Sequence, residues 1–232
     1  MNKKENILQL QNVSKIYSQG NKNRIVLDDV CLEVHKGEVI AIIGRSGSGK
    51  STLLNMMSGI DQPDSGKIIV TDQVINQLSE YERTCYRRKH MGFVFQFFNL
   101  IPTLTAQENI CLPLELNNCL NAENRVFVES LLDTVGLSEQ KNNFPDQLSG
   151  GEQQRIAILR AIVHKPALLF ADEPTGNLDA ESGQNVLRLL QAMVQGQQTT
   201  LIIVTHSTDV AKMADRIFSM QQGKLVQLRH EN

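Results

Sequence analysis

The sequence predicts an α/β protein with a mostly parallel sheet, an antiparallel β region ahead of it and a helical lobe inserted within it. Three observations carry this. The apolar run Val39-Ile40-Ala41-Ile42-Ile43 enters a glycine-rich turn, and Ser51-Thr52-Leu53-Leu54-Asn55-Met56-Met57 follows as a helix. A second apolar run, Ala167-Leu168-Leu169-Phe170-Ala171, ends in Asp172-Glu173-Pro174. Between and after these runs, strand patterns alternate with helical ones, as a parallel sheet covered on both faces requires.

The elements follow in order. Residues 2–6 are polar and lead into the first strand. From about Ile7 to Val39 the chain alternates apolar and polar residues and reads as short antiparallel strands, with a turn at His35-Lys36-Gly37. Gly59 ends the first helix, and Pro63-Asp64-Ser65-Gly66 turns into the strand Lys67-Ile68-Ile69-Val70. Gly92-Phe93-Val94-Phe95 is another short strand. From about 97 to 164 the pattern is mainly helical and reads as the inserted lobe; the core with its β region covers about 7–96 and 165–232. Val128, Leu131, Leu132 and Val135 share one helix face, closed by Gly136. A helix opening near Gly151 is stopped by Pro166. Val186, Leu189, Leu190 and Met193 mark a helix ended by Gly196, Leu201–Val204 is a strand, and 217–226 is a hairpin.

Composition narrows the function. The 232 residues suffice for one full hydrophobic core, and the net charge of −2 gives no field that would gather nucleic acid. The basic cluster Arg83, Arg87, Arg88, Lys89 reads as a solvated helix face. Cys31, Cys85, Cys111 and Cys119 form no C-x-x-C pair and read as reduced thiols. No apolar run approaches the roughly 20 residues of a membrane helix. Membrane contact is therefore expected through a partner only.

The chemistry sits in a few runs. Gly44-Arg45-Ser46-Gly47-Ser48-Gly49-Lys50-Ser51 is a complete G-x-x-x-x-G-K-S loop between strand and helix. Glycines let successive backbone N–H groups point at one anion, and the helix N-terminus adds its positive end. Lys50 is placed for the β- and γ-phosphates and Ser51 for Mg²⁺. Asp172, closing a core strand, is a candidate Mg²⁺ holder. Glu173 can orient or deprotonate a water, with Pro174 biasing it to an extended backbone. Leu148-Ser149-Gly150-Gly151-Glu152 admits two readings: a Ser-x-x-Glu capping box, or a second anion site whose glycines bare a helix N-terminus.

Leu148-Ser149-Gly150-Gly151-Glu152 resembles the signature of ABC-type ATPases, and further family motifs stand in order along nearly the whole chain. Tyr17 resembles the aromatic that stacks on adenine. Gln96 resembles the glutamine at the lobe junction, Asn177-Leu178-Asp179 the D-loop, and His206 the switch histidine. The runs 95–105 and 173–179 are similar to the branch serving lipoprotein release, macrolide export and FtsE-like division complexes. Arg45 stands where that branch commonly has proline.

The resemblance implies a P-loop NTPase (RecA-like) fold and an ATP-binding subunit of an ABC transporter, using ATP and Mg²⁺. It implies a head-to-tail homodimer. Tyr17, Gly44, Arg45, Ser46, Gly47, Ser48, Gly49, Lys50, Ser51, Thr52, Gln96, Asp172, Glu173 and His206 would come from one copy. Ser149, Gly150, Gly151 and Glu152, with Asp179, would come from the other. Ser51, Gln96 and Asp172 are the expected metal contacts. The expected partner is an FtsX-like transmembrane permease, with the chain peripheral on the cytoplasmic face of the inner membrane. The alternative is an FtsE-like ATPase that regulates an envelope or division complex and transports nothing.

Overall fold

The computed structural model describes residues 5–19, 22–197 and 199–228; residues 1–4 and the end of the domain expected over about 7–232 lie outside these. The elements are β1 (Asn6–Gln19), β2 (Lys22–His35), β3 (Val39–Ile43), α1 (Lys50–Met57), β4 (Ser65–Val70), β5 (Gln73–Val74) and α2 (Glu80–His90). Then come β6 (Met91–Val94), α3 (Ala106–Leu116), α4 (Ala122–Thr134), α5 (Gly150–Ile162), β7 (Leu168–Asp172) and α6 (Ala180–Gln197). The chain closes with β8 (Thr200–Thr205), α7 (Thr208–Ala211), β9 (Arg216–Gln221) and β10 (Lys224–Leu228). It divides into two compact units, 1–87 with 200–232, and 88–199.

In the first unit an antiparallel sheet runs in the order β2-β1-β4-β5. The sequence suggests short strands here, but β1 and β2 are 14 residues each. Register shifts break their pairing at several points, and Asn12 and Asp29 take left-handed backbone. Such bulges interrupt a period-two pattern without ending the strand. Beside this, β3 pairs in parallel with both β8 and β9. Ile40, Ala41 and Ile42 of β3 and Leu201–Val204 of β8 are fully buried, as central strands covered on both faces must be. The expected hairpin is β9–β10, turning on Gln222 and Gly223, both at positive φ.

In the second unit β6 and β7 pair in parallel. The helix α5 is buried almost all round through Ile156, Ala157, Ile158, Leu159, Ala161 and Ile162. It lies hard on β6: a Cβ on Gly92 would stand 2.1 Å from the Ala161 carbonyl oxygen, so only glycine fits. Gly136 closes α4 at positive φ, as expected. Gly196 does not close α6, which continues to Gln197.

The basic cluster is not a uniformly solvated face. Arg83 is 6% exposed, pairs with Glu80, and donates to the Leu78 carbonyl. Arg87 donates to the Gly59 carbonyl at 2.5 Å. Only Arg88 and Lys89 stand in solvent. Among the described residues no helix is long and apolar enough to cross a membrane.

Candidate functional site

In the first unit the phosphate loop leaves the C-terminal end of β3 and delivers its last glycine to the start of α1. Gly49 is the helix N-cap, with φ 102° and no side-chain cap bond. A Cβ there would lie 2.9 Å from the Val26 carbonyl oxygen, so both the dihedral and the space demand glycine. Gly49 itself, having no side chain, offers no cap to the first N–H groups of α1. Lys50 is 9% exposed and its Nζ donates to the carbonyls of Gly44 at 2.8 Å and Arg45 at 3.2 Å. Those carbonyls hold the ammonium folded back over the loop. Ser48 Oγ is buried without a hydrogen-bond partner among the described residues. A buried orphan hydroxyl beside uncapped helix donors fits an anion. Arg24 reaches across from β2 and donates to the Gly47 carbonyl at 3.0 Å. Ser46 and Gly47 are exposed at the tip, as is Arg45. Ser51 is exposed and Thr52 half-buried in the first turn of α1. His206 is exposed just beyond β8.

Tyr17 lies on β1 and is 39% exposed. Its hydroxyl donates to Asp61 Oδ2 at 2.8 Å, while Lys15 Nζ reaches Asp61 Oδ1 at 3.1 Å and sits 5.3 Å from the Tyr17 ring centroid. Burial by itself would raise the Asp61 carboxyl, but the bonds from Tyr17, the Gln62 N–H and Lys15 outweigh it and hold it below its usual value. Burial and the Asp61 carboxylate push the Tyr17 phenol up. The ring is therefore anchored edge-on by a charged acceptor, with one face covered by a cation.

In the second unit Gln96 is pinned by Asn177. Its Nε2 donates to Asn177 Oδ1 at 3.2 Å, and Asn177 Nδ2 donates to the Gln96 carbonyl at 2.9 Å. A Cβ on Gly176 would come within 2.9 Å of Gln96 Nε2. The 149–152 run forms the capping box. Ser149 N and Oγ donate to Glu152 Oε2 at 2.8 and 2.7 Å, and Ser149 Oγ accepts from Glu152 N. The Ser149 hydroxyl and N–H hold the Glu152 carboxyl below its ordinary value. Glu152 is thus engaged in the cap, while in the first turn of α5 Gly150 is half-buried and Gly151 is buried, with a Cβ on Gly151 falling 3.2 Å from Ser182 Oγ. Asp179 Oδ1 accepts from Ser182 N at 2.9 Å, which lowers its carboxyl and starts α6.

Asp172 closes β7, as the sequence suggests, but Glu173 departs from expectation. Its φ is +47°, left-handed and not extended, in spite of Pro174. The local bias is overridden by ties on either side. Gly176 N donates back to the Glu173 carbonyl at 3.0 Å, and the fully buried Gln154 donates to the Pro174 carbonyl at 2.6 Å. A strained acidic residue at a strand end is a recurrent feature of reactive sites.

The ABC transporter family profile matches residues 27–176. The chain belongs to the ABC transporter ATP-binding family. Its cassette is 47% identical over 220 residues to an uncharacterized ABC transporter ATP-binding protein of Mycobacterium tuberculosis, covering 95% of this chain and 89% of the relative. It is 44% identical over 218 residues to the lipoprotein-releasing system ATP-binding protein LolD of Psychrobacter arcticus, covering 94% and 96%. Among solved structures, the dimeric post-hydrolysis state of the ATP-binding cassette MJ0796 bound to ADP and Pi superposes with TM-score 0.86 at 38% identity, covering 96% and 99%. The α/β fold and ATP hydrolysis are those of this family.

The cassette also contains residues that sequence motifs do not reveal. Asp61 anchors Tyr17 from 44 positions away, Arg24 braces the loop, and Gln154 ties down Pro174. The turn signal at Pro63-Asp64 marked the neighbourhood of Asp61, but nothing local linked it to an aromatic on β1.

Proposed function

We propose that this ATP-binding cassette works as a head-to-tail homodimer that drives an FtsX-like permease in export or extraction of a lipoprotein, peptide or drug-like substrate. The feature that carries it is a pair of glycine-flanked helix starts, one at Gly49–Lys50 without a side-chain cap and one at Ser149–Gly151 closed by its own capping box. The first fits the phosphates of its own nucleotide and the second the γ-phosphate of the nucleotide on the other copy. The dimeric MJ0796 cassette supports this arrangement. The lipoprotein-releasing relatives support the substrate class, and with it a peripheral place on the cytoplasmic face of the inner membrane.

In this reading Tyr17 stacks on adenine, presented by its Asp61 anchor. The loop 44–52 wraps the phosphates and Lys50 swings from its carbonyl partners to the β- and γ-oxygens. Among the described residues no three His, Cys, Asp or Glu side chains gather into a metal cage. A serine hydroxyl at Ser51, the Gln96 amide and the Asp172 carboxylate suit Mg²⁺, which keeps water and phosphate oxygens as its main ligands. When bound, that ion neutralises phosphate charge. Glu173 orients and deprotonates the attacking water, His206 contacts the γ-phosphate, and Asp179 borders the opposing site. The inserted lobe, about 97–164, carries the signature segment and the face toward the permease.

Glu173→Gln tests the scheme. It removes a base and no phosphate contact, so ATP affinity should persist while hydrolysis is lost. A dimer should then accumulate on size-exclusion chromatography with ATP and Mg²⁺. A variant that hydrolyses ATP normally, or stays monomeric under every nucleotide condition, refutes the shared-site mechanism.

A further inference from the structure

Immediately after Gln96 the chain makes a turn that its side chains do not favour. Phe98 and Asn99 are consecutive residues at φ 54° and 50°, a left-handed conformation that a phenylalanine resists and an asparagine tolerates better. The local support is thin: Phe98 N donates to the Phe95 carbonyl at 3.3 Å, and Asn99 N to the Phe97 carbonyl. The strong contact comes from α5. Arg160 Nη1 donates to the Asn99 carbonyl at 2.6 Å and Nη2 to the Phe98 carbonyl at 2.8 Å. The planar guanidinium thus spans the two successive carbonyls that the left-handed turn exposes, a match that its fixed fork geometry permits and an ammonium cannot copy. Desolvation lowers the Arg160 guanidinium, which nonetheless stays a cation. The Phe98 ring faces the other end of the same helix, since a Cβ on Gly150 would lie 3.7 Å from Phe98 Cζ.

We propose that Arg160 is a positioning residue for catalysis: its fork holds the Phe98–Asn99 turn left-handed and thereby fixes Gln96 in register with the signature helix. The inference rests on the role proposed above for Gln96. Without the fork, Phe98 relaxes toward right-handed or extended backbone. The chain bearing Gln96 then moves away from Asn177. The phosphate loop shares none of these contacts, so nucleotide binding is untouched while the reacting geometry loosens.

The test is steady-state ATP hydrolysis by the purified full chain with Mg²⁺ and varied ATP, beside melting curves. Arg160→Gln should lower kcat by about tenfold or more, the scale of cost for a small misplacement, with KM little changed. Adding Asn99→Gly should restore much of that turnover, because glycine occupies positive φ without a fork to hold it. A purely structural Arg160 would lose melting temperature, and Asn99→Gly would not lessen any loss of kcat. Arg160→Lys keeps the charge but only one donor nitrogen in place of the two-nitrogen fork, and should show an intermediate loss. It replaces Arg160→Gln in the same cycle if the latter does not fold. Full turnover in the Arg160 variants, or a loss that Asn99→Gly leaves unchanged, overturns the proposal. Gln96→Ala separates the two readings. Normal turnover there overturns the role of Gln96 and this proposal with it, whereas low turnover there with normal Arg160→Gln overturns the Arg160 inference alone.

Discussion

Ser149 stands at the one place where a helix cap and a shared active site make opposite predictions. Its hydroxyl accepts from Glu152 N at 3.4 Å and donates to Glu152 Oε2 at 2.7 Å, so it stabilises α5 whatever else it does. Ser149→Ala deletes both bonds and costs about 0.5–2 kcal/mol, the usual range for an N-cap. For a chain of this size each kcal/mol lowers the melting temperature by about 2–4 °C. Ser149→Asn replaces one good cap with another, so melting should shift little, but its larger side chain fills the space where an opposing γ-phosphate must dock. Ser149→Arg adds bulk and loses the cap. If the site is shared, Ser149→Asn and Ser149→Arg both lose turnover, while ATP affinity, which depends on the cassette's own loop, is kept. The order of melting loss then differs from the order of activity loss. Turnover that simply tracks melting temperature across the three variants, with Ser149→Asn fully active, would refute the shared site and leave Ser149 a cap.

Lys50→Ala should weaken ATP binding strongly and abolish hydrolysis, measured by nucleotide titration and turnover; near-normal turnover would sink the loop assignment. The Glu152 cap should be acid-sensitive. Its folded carboxyl lies below the unfolded value of about 4.3, so its stabilisation is complete above that pH and is lost as pH falls through the folded value. The melting gap between the natural chain and Glu152→Ala should accordingly be constant near neutrality and close in acid; a gap that persists in acid contradicts this. Phe97 is 73% exposed beside Gln96, and Phe97→Glu should leave melting and basal ATP hydrolysis intact while abolishing capture of the membrane permease in a pull-down. Retained capture and stimulation would move the docking face elsewhere.

What was legible in the sequence was local. The phosphate loop, the capping box, the Asp172 strand end, the Gly136 helix stop and the Gln222-Gly223 hairpin each follow from side chains acting within a few residues of themselves. What was not legible came mostly from contacts distant in sequence. Pro174 should extend Glu173, but Gln154 and Gly176 hold the backbone left-handed instead. Gly196 should end α6 at a cost near 1 kcal/mol for an interior glycine, yet the buried face of Val186, Leu190 and Val194 carries the helix past it. Arg87 read as solvated because its partner, the Gly59 carbonyl, lies 28 residues back in the chain, while the Glu80–Arg83 pair, three residues apart on one helix, was a local signal left unread.

These distant contacts have a common element in the second unit. The helix α5 begins at the Ser149 cap, ties down the residue after Glu173 through Gln154, and holds the turn after Gln96 through Arg160. A helix rises about 1.5 Å per residue, so these holds sit at set spacings along one helix. Its near-complete burial and its contact with β6 at Gly92 leave it no room to bend or shift alone. The three segments therefore cannot adjust independently. A displacement that disengages the signature segment must also strain the backbone at Glu173 or the turn at Phe98. The left-handed residues at both places mark where that strain is held. Under the proposed mechanism, a single helix would in this way make signature engagement, water activation and Gln96 placement one event instead of three.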